Sequence, residues 1–133
     1  KGWPHEESVR VPLLVRRPGA AGRGSDAAVT LSDLPGMRGK IAEGGWGNAD
    51  FWGGGAREEF ARISMPSVVR LPHQCDRTWR GVRTAKRKLV LNEGGSPWLF
   101  FDLENDPGEM RNLADDPARR AEIAEWREMV EET

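Results

Sequence analysis

Short blocks of hydrophobic residues in the second half of the chain predict a small sheet followed by a helix. The run "TWRGVRTAKRKLVLNEGGSPWLFFDL" indicates two strands, over residues 79–91 and 98–103, with a tight turn at "EGGS". A further strand is indicated by "SVVRLP", residues 67–72. Beyond two Asp-Pro pairs, an apolar stripe predicts a helix over residues 117–131, with Asp116 as its N-cap and Pro117 in its first turn. We expect the apolar face of this helix to lie on the hairpin.

The first half of the chain has a weaker pattern. The nearly continuous apolar run "VRVPLLV", residues 9–15, predicts a strand covered on both faces, and Pro12 places it at a sheet edge or a strand start. No neighbouring strand is indicated nearby, so we expect this strand to pair with another chain or to be disordered. A Gly-rich loop, residues 43–55, carries aromatic residues that either pin it to the protein or contact a sugar: Trp46, Phe51 and Trp52.

Composition narrows the class of protein. The net charge is −1 and the basic residues are dispersed, which argues against nucleic acid as a partner. The apolar runs are too short to span a bilayer, so we expect no membrane insertion. The lone cysteine, Cys75, excludes an internal disulfide and a Cys-based zinc site. The cellular location stays open, because a targeting signal would lie upstream of these residues.

Two ordered motifs resemble the sulfatase family. "KGWPHEESVRVPLLVRRPG" is similar to the segment in which a lysine precedes a "PYEES-RVPL-R-PG" strand. "WRGVRTAKRKLV", followed by "PWLFFDLENDPGEMRNLADDP", resembles the sulfatase C-terminal subdomain. The resemblance implies three parts: the end of an alkaline-phosphatase-like α/β catalytic domain (1–19), a Gly-rich connecting region (20–65) and the C-terminal subdomain (66–133). The expected fold class is α+β, a small antiparallel sheet packed by a C-terminal helix, plus one strand of the catalytic domain.

The resemblance also implies a chemistry. Sulfatases hydrolyse sulfate esters through a formylglycine, made from the first residue of a Cys/Ser-x-Pro-Ser/Ala-Arg motif, and a divalent cation, usually Ca²⁺. Cys75 lies in "HQCDRTW", which lacks the proline and arginine of that motif, and no Asp-His-Gly run for a cation is present. We therefore expect this chain to contain neither the nucleophile nor metal ligands, and to be inactive alone. The expected partners are the rest of the catalytic domain and a sulfated small molecule or glycan.

Few residues of this chain are candidates for the site. Lys1 matches the family lysine that contacts the sulfate, a task suited to a compact point charge. Three further residues are candidates for the rim of the cleft: His73, Arg80 and Arg83. Arg80 and Arg83 are three apart on a predicted strand and hence on opposite faces, so at most one can point into a cleft. The charged residues before the first apolar run favour a structural ion network: Glu6, Glu7 and Arg10.

Other interpretations remain open on the sequence alone. The chain is alternatively a stand-alone glycan-binding or interaction module, or part of a phosphonate or phosphodiester hydrolase of the same superfamily. The acidic run at residues 102–106 invites comparison with a calcium loop, but the required glycine and distal glutamate are out of register, which favours a turn. The substrate, the oligomeric state and whether the chain is a natural short protein are not specified by these residues.

Overall fold

A computed structural model describes residues 2–14, 16, 24, 28–30, 60–68 and 71–131. Its elements in chain order are α1 (Glu6–Val9), β1 (Ala61–Met65), β2 (Trp79–Arg83), β3 (Arg87–Asn92), β4 (Pro97–Asp102), a 3-10 turn (Pro117–Arg119) and α2 (Arg120–Glu131). The four strands form one antiparallel sheet in the order β1-β2-β3-β4. The predicted α+β class, an antiparallel sheet with a C-terminal helix, is therefore confirmed.

The β3–β4 hairpin turns where the sequence predicted. The Asn92 amide donates to the Ser96 carbonyl at 3.0 Å, and the Asn92 side chain accepts from the Ser96 amide at 3.1 Å. Gly95 has φ 76°, a left-handed conformation that glycine adopts without a steric penalty. These local bonds fix the register that joins the two best-buried strands.

Two predicted strand boundaries were wrong. The single strand expected over residues 79–91 is two strands, β2 and β3, separated by a turn in which the Thr84 hydroxyl accepts from the amides of Lys86 and Arg87 at 3.1 and 3.0 Å. This side-chain turn needs no glycine or proline, so the usual punctuation is missing. The strand expected at residues 67–72 is not formed by its described residues; β1 lies earlier, pairs with β2 from Ala61–Arg83 to Met65–Trp79, and ends before Pro66.

The helix α2 covers one face of the sheet. Asp116 caps the helical segment by accepting from the Ala118 amide at 2.9 Å, and Pro117 begins the 3-10 turn, as predicted. Buried residues from the strands, the helix and the segment between β4 and the 3-10 turn form this core: Val82, Leu89, Leu91, Phe100, Leu113, Ile123 and Val130. Trp126 packs edge-on against Phe100, with ring centroids 6.0 Å apart. The predicted contact between the helix and the hairpin is confirmed.

The opposite face of the sheet holds a second core, which places the N-terminal segment. Its buried residues are Cys75, Trp79, Val90, Leu99, Phe101 and Leu103, with Val9, Ile63, Met65 and Trp98 packed around them. The sheet is therefore covered on both faces, by α2 on one side and by residues 2–9 on the other.

The strand predicted over residues 9–15 is not formed in the described part of this segment. Val9 is the last residue of α1, and residues 10–14 are neither helix nor strand. Val11, Leu13 and Leu14 are exposed. A strand depends on a neighbour that satisfies its amides and carbonyls, and local apolar character cannot supply that neighbour.

The outer edge of β4 is closed by a side chain. Asn112 accepts from the Phe100 amide and donates to the Trp98 carbonyl, both at 3.0 Å, while the Leu113 amide donates to the Phe100 carbonyl at 2.8 Å. The carboxamide and the Leu113 amide together thus occupy the place of a further strand along three backbone groups. Within the described ranges, no helix has the length and apolarity required to cross a membrane.

Candidate functional site

The N-terminal segment is attached to the second face of the sheet by backbone carbonyls. The Trp79 indole Nε1 donates to the Gly2 carbonyl at 2.8 Å, and Lys88 Nζ donates to the Pro4 carbonyl at 2.7 Å. His5 lies against the Phe101 ring, with centroids 5.8 Å apart. Gly2, which follows the predicted sulfate-contacting residue Lys1, is therefore hydrogen-bonded directly to the sheet.

A buried network of four charged residues secures this attachment. The Lys88 ammonium is fully buried and contacts Glu6 Oε1 at 3.0 Å and Glu109 Oε1. Arg83 donates hydrogen bonds to the Glu6 carboxylate from Nε and Nη2, and Nη2 lies 2.8 Å from Oε2. The Glu6 amide in turn donates to Glu109 Oε2 at 2.7 Å. Two cations and two anions balance, as burial of charge requires.

The electrostatics of Glu6 follow from this geometry. Burial alone would raise the pKa of the Glu6 carboxyl, but hydrogen bonds from Arg83 and Lys88, together with their positive charges, hold that pKa below its ordinary value of 4.5. Both oxygens of the carboxylate already accept hydrogen bonds. The network is thus suited to fixing backbone position, and the predicted structural role of Glu6 is supported; Glu7 and Arg10 are exposed.

The predicted site residues lie in different places. Lys1 is outside the described residues, so its contact with sulfate stays a prediction. Arg83 belongs to the buried network on the second face, whereas Arg80 is exposed and shares the helix-covered face with Val82, as the strand alternation predicted. His73 is exposed and has φ 64°, in the loop before β2. The rim roles of these three residues stay predictions.

A shallow concavity lies beside this loop. Its volume is about 610 Å³, and the described residues that line it are Leu71, Pro72, Gln74, Cys75 and Asp76. Cys75 is buried, and its thiol donates to the Arg77 carbonyl at 3.5 Å. A sulfhydryl that packs inside the second core is poorly placed to react with a substrate.

Next to the concavity is a group of aromatic and charged residues that we call the indole surface: Trp3, Trp98, Asp76 and Arg77. The Trp3 and Trp98 rings lie 6.2 Å apart at 45°, and the Arg77 guanidinium is 4.9 Å from the Trp98 ring centre. Arg77 Nε also donates to Asp76 at 2.9 Å. This surface exists only because the N-terminal segment is docked on the sheet.

The described residues do not fit a cation site or a formylglycine. Among them no three His, Cys, Asp or Glu side chains gather as metal ligands. Asp102 accepts from the amide and side chain of Asn105, and Asp106 accepts from the amides of Met110 and Arg111. The Asn105 side-chain hydrogen bond outweighs burial and holds the pKa of Asp102 below 3.8. These carboxylates shape turns, as the sequence favoured.

Sequence reasoning missed Lys88 and Glu109. Lys88 lies in the basic run "KRK" and is two residues from the buried Val90, so it shares the face of the strand that Val90 occupies. Glu109 lies in a turn, has φ 53° and is 103 residues away from the amide it accepts from. The strand alternation could have identified Lys88; nothing local identifies Glu109.

Comparison with known proteins gives a partial likeness of fold. No family model matches the chain. The structure of BT4656 in complex with its substrate D-glucosamine-2-N,6-O-disulfate is 22% identical over 58% of this chain, with a TM-score of 0.46. The structure of BT1596, a 2-O GAG sulfatase, is 21% identical over 86% of this chain, with a TM-score of 0.49. The matched parts are 15% and 21% of those chains, so this chain spans about a fifth of their length or less.

Proposed function

We propose that this chain is the C-terminal part of a sulfatase, an enzyme that hydrolyses sulfate esters. One observation carries the proposal. The two segments that resemble sulfatases, residues 1–19 and 70–133, meet in the buried network, because Glu6 comes from the first segment and its partners come from the second. Two motifs that are far apart in the sequence are thus joined in one structural unit.

The network gives this unit a specific geometry. A buried ammonium or carboxylate is tolerated only when a partner of opposite charge lies against it, so the segment can dock in few other positions. Docking fixes the Gly2 carbonyl on the Trp79 indole, and Lys1 is the residue directly before Gly2. In our proposal the Lys1 ammonium contacts the sulfate, where it offsets negative charge on the sulfate oxygens. The network then acts as a positioning device for that lysine.

The remaining chemistry belongs to other residues of the proposed enzyme. A formylglycine would supply the nucleophile and a divalent cation, usually Ca²⁺, would neutralise the sulfate oxygens, and neither fits the described residues of this chain. The proposed partners are therefore the rest of the catalytic domain and a sulfated small molecule or glycan. The isolated chain is expected to hydrolyse no sulfate ester.

The test begins with the coding sequence upstream of Lys1. We expect an in-frame Cys/Ser-x-Pro-Ser/Ala-Arg motif, and hydrolysis of 4-nitrophenyl sulfate or of a sulfated sugar by the complete protein. Replacing Lys1 with alanine in that protein should lower kcat/KM by about 10²-fold or more, since it removes charge placed for the transition state. Lys86→Ala, which removes an exposed lysine from a turn, is the matched control. Turnover by the isolated chain, or an upstream sequence without the motif, would refute the proposal.

A further inference from the structure

Glu109 joins the connection after β4, residues 103–116, to the docked N-terminal segment. Its side chain is 3% exposed, and the two oxygens of its carboxylate have different partners. Oε2 accepts from the Glu6 amide at 2.7 Å, while Oε1 contacts the Lys88 ammonium. One carboxylate therefore binds both the backbone of the N-terminal segment and a side chain of the sheet.

The Glu6 amide depends on this distant acceptor. Glu6 is the first residue of α1, and the first amides of a helix have no acceptor within the helix. A preceding residue often supplies a side-chain oxygen, but His5 makes no such hydrogen bond, and its ring lies against Phe101. Glu109 takes the place of that local cap from 103 residues along the chain. Its loss would leave a part-buried amide without an acceptor.

The backbone at Glu109 is strained. Its φ is 53°, a left-handed conformation that residues other than glycine adopt at a cost in free energy. Gly108 directly precedes it and has no positive φ. The Asp106 carbonyl accepts from the Glu109 amide at 3.0 Å, and the Asp106 carboxylate accepts from the amides of Met110 and Arg111. A glycine would satisfy this turn at lower cost, so the strain indicates that the side chain of Glu109 is required.

We propose that Glu109 is a positioning residue for Lys1. Glu109 holds the Glu6 amide, and the segment held in this way keeps the Gly2 carbonyl on the Trp79 indole. Lys1 directly precedes Gly2 and is thereby placed to contact the sulfate. This inference rests on the proposed function, since it concerns the proposed role of Lys1. It adds a residue of the connection after β4 to those that control the site.

Glu109→Gly separates the side chain from the turn. Glycine adopts φ 53° without a steric penalty, so this variant keeps the turn and removes only the carboxylate. Hydrogen exchange can be measured by NMR on the ¹⁵N-labelled chain. The Glu6 amide and the Trp79 indole N–H should exchange about tenfold faster or more, the factor expected when one hydrogen bond to a charged group is lost. The Phe100 amide, which donates to Asn112, reports the hairpin and should exchange at an unchanged rate.

Two further variants control this experiment. Glu104→Ala removes a carboxylate from the same connection, but one whose partner is the exposed Lys86 ammonium, so both rates should change by less than about threefold. Glu109→Gln keeps an oxygen that can accept from the Glu6 amide and should restore part of the protection. If Glu109 serves only the turn, Glu109→Gly leaves both rates unchanged. If it serves the stability of the whole sheet, the Phe100 amide exchanges faster to the same extent. Either result overturns the proposal.

Kinetics of the complete protein separate positioning from stability. Glu109→Gly should lower kcat/KM for 4-nitrophenyl sulfate about tenfold, while Glu104→Ala should leave it unchanged. In a Lys1→Ala background, Glu109→Gly should cause less than about a twofold further loss, because it acts through the residue already removed. An equal loss in both backgrounds, or no loss in either, overturns the proposal.

Failure of this inference differs from failure of the proposed function. A complete protein that hydrolyses no sulfate ester would overturn the sulfatase together with the part of Glu109 in catalysis, while the exchange rates would still decide whether Glu109 holds the N-terminal segment. A complete protein that hydrolyses sulfate esters with the same kcat/KM after Glu109→Gly would overturn the positioning role alone.

Discussion

Replacement of Lys88 by methionine tests the buried network most directly. Methionine fills the space of the lysine stem but lacks the ammonium, which is fully buried and donates to the Pro4 carbonyl and to Glu6. Glu6 keeps its hydrogen bonds from Nε and Nη2 of Arg83. Glu109 Oε1 is buried, and the partner that the structure gives it is the Lys88 ammonium. The variant therefore leaves a carboxylate buried without its cation.

The expected cost is large compared with the stability of a small unit. Breaking a buried ion pair by removing one partner costs about 3–5 kcal/mol, and a whole domain is stabilised by about 5–15 kcal/mol. Since the same ammonium also holds the Pro4 carbonyl, we expect the N-terminal segment to be released while the hairpin and α2 remain folded. The measured loss in the free energy of unfolding cannot exceed the free energy with which the docked N-terminal segment stabilises the chain.

Urea denaturation followed by tryptophan fluorescence gives the free energy, and the Trp79 indole N–H signal reports whether Gly2 is still bound. Lys86→Met is the matched control: its ammonium pairs with Glu104 in an exposed position, and its removal should cost about 1 kcal/mol or less. The double variant Lys88→Met/Glu109→Gln removes both charges and keeps an acceptor for the Glu6 amide, so it should recover part of the loss, although the Pro4 carbonyl stays without its donor. The reasoning is refuted if Lys88→Met is no more harmful than Lys86→Met.

Two further predictions concern the sheet and the response to acid. Gly81→Ala would place a methyl group against the backbone carbonyl of Leu89, which cannot move aside. Urea denaturation should therefore show that the free energy of unfolding falls by about 1–3 kcal/mol or more. The control is Gly94→Ala in the hairpin turn, which should change the free energy of unfolding by less than about 0.5 kcal/mol. Because the pKa of Glu6 is lowered on folding, its contribution is present above about pH 4.5 and is lost as the pH falls through the folded-state pKa. Melting temperatures between about pH 2 and pH 6 should therefore fall less steeply for Glu6→Gln than for the unaltered chain; identical slopes would contradict the assignment.

How much of the fold the sequence predicted depends on how local each signal is. The β3–β4 turn and the helical segment were predictable because Gly95 and Asp116 determine local backbone geometry by themselves. The break between β2 and β3 was not, since the Thr84 hydroxyl replaces the usual turn residues. The strand at residues 9–15 failed because strand formation depends on a partner.

The site shows the same division between local and distant contacts. A structural role for Glu6 could be predicted from its place before an apolar run, but its partners could not. Arg83 and Lys88 lie 77 and 82 residues further along the chain, and sequence periodicity carries no information on contacts over that distance. The indole surface was missed for the same reason, because Trp3 and Trp98 meet only after docking.

The side chain of Asn112 makes the two edges of the sheet unequal as sites for pairing with another strand. Because its carboxamide occupies the backbone groups of Trp98 and Phe100, β4 offers little to an incoming strand there. In the described part of the chain, β1 is the other edge, and its pairing is to β2 alone. Strand addition, whether by a neighbouring domain or in aggregation, is therefore expected at β1. Asn112 thus confines strand addition to the β1 edge. Asn112→Ala should expose the β4 edge as well and so increase self-association.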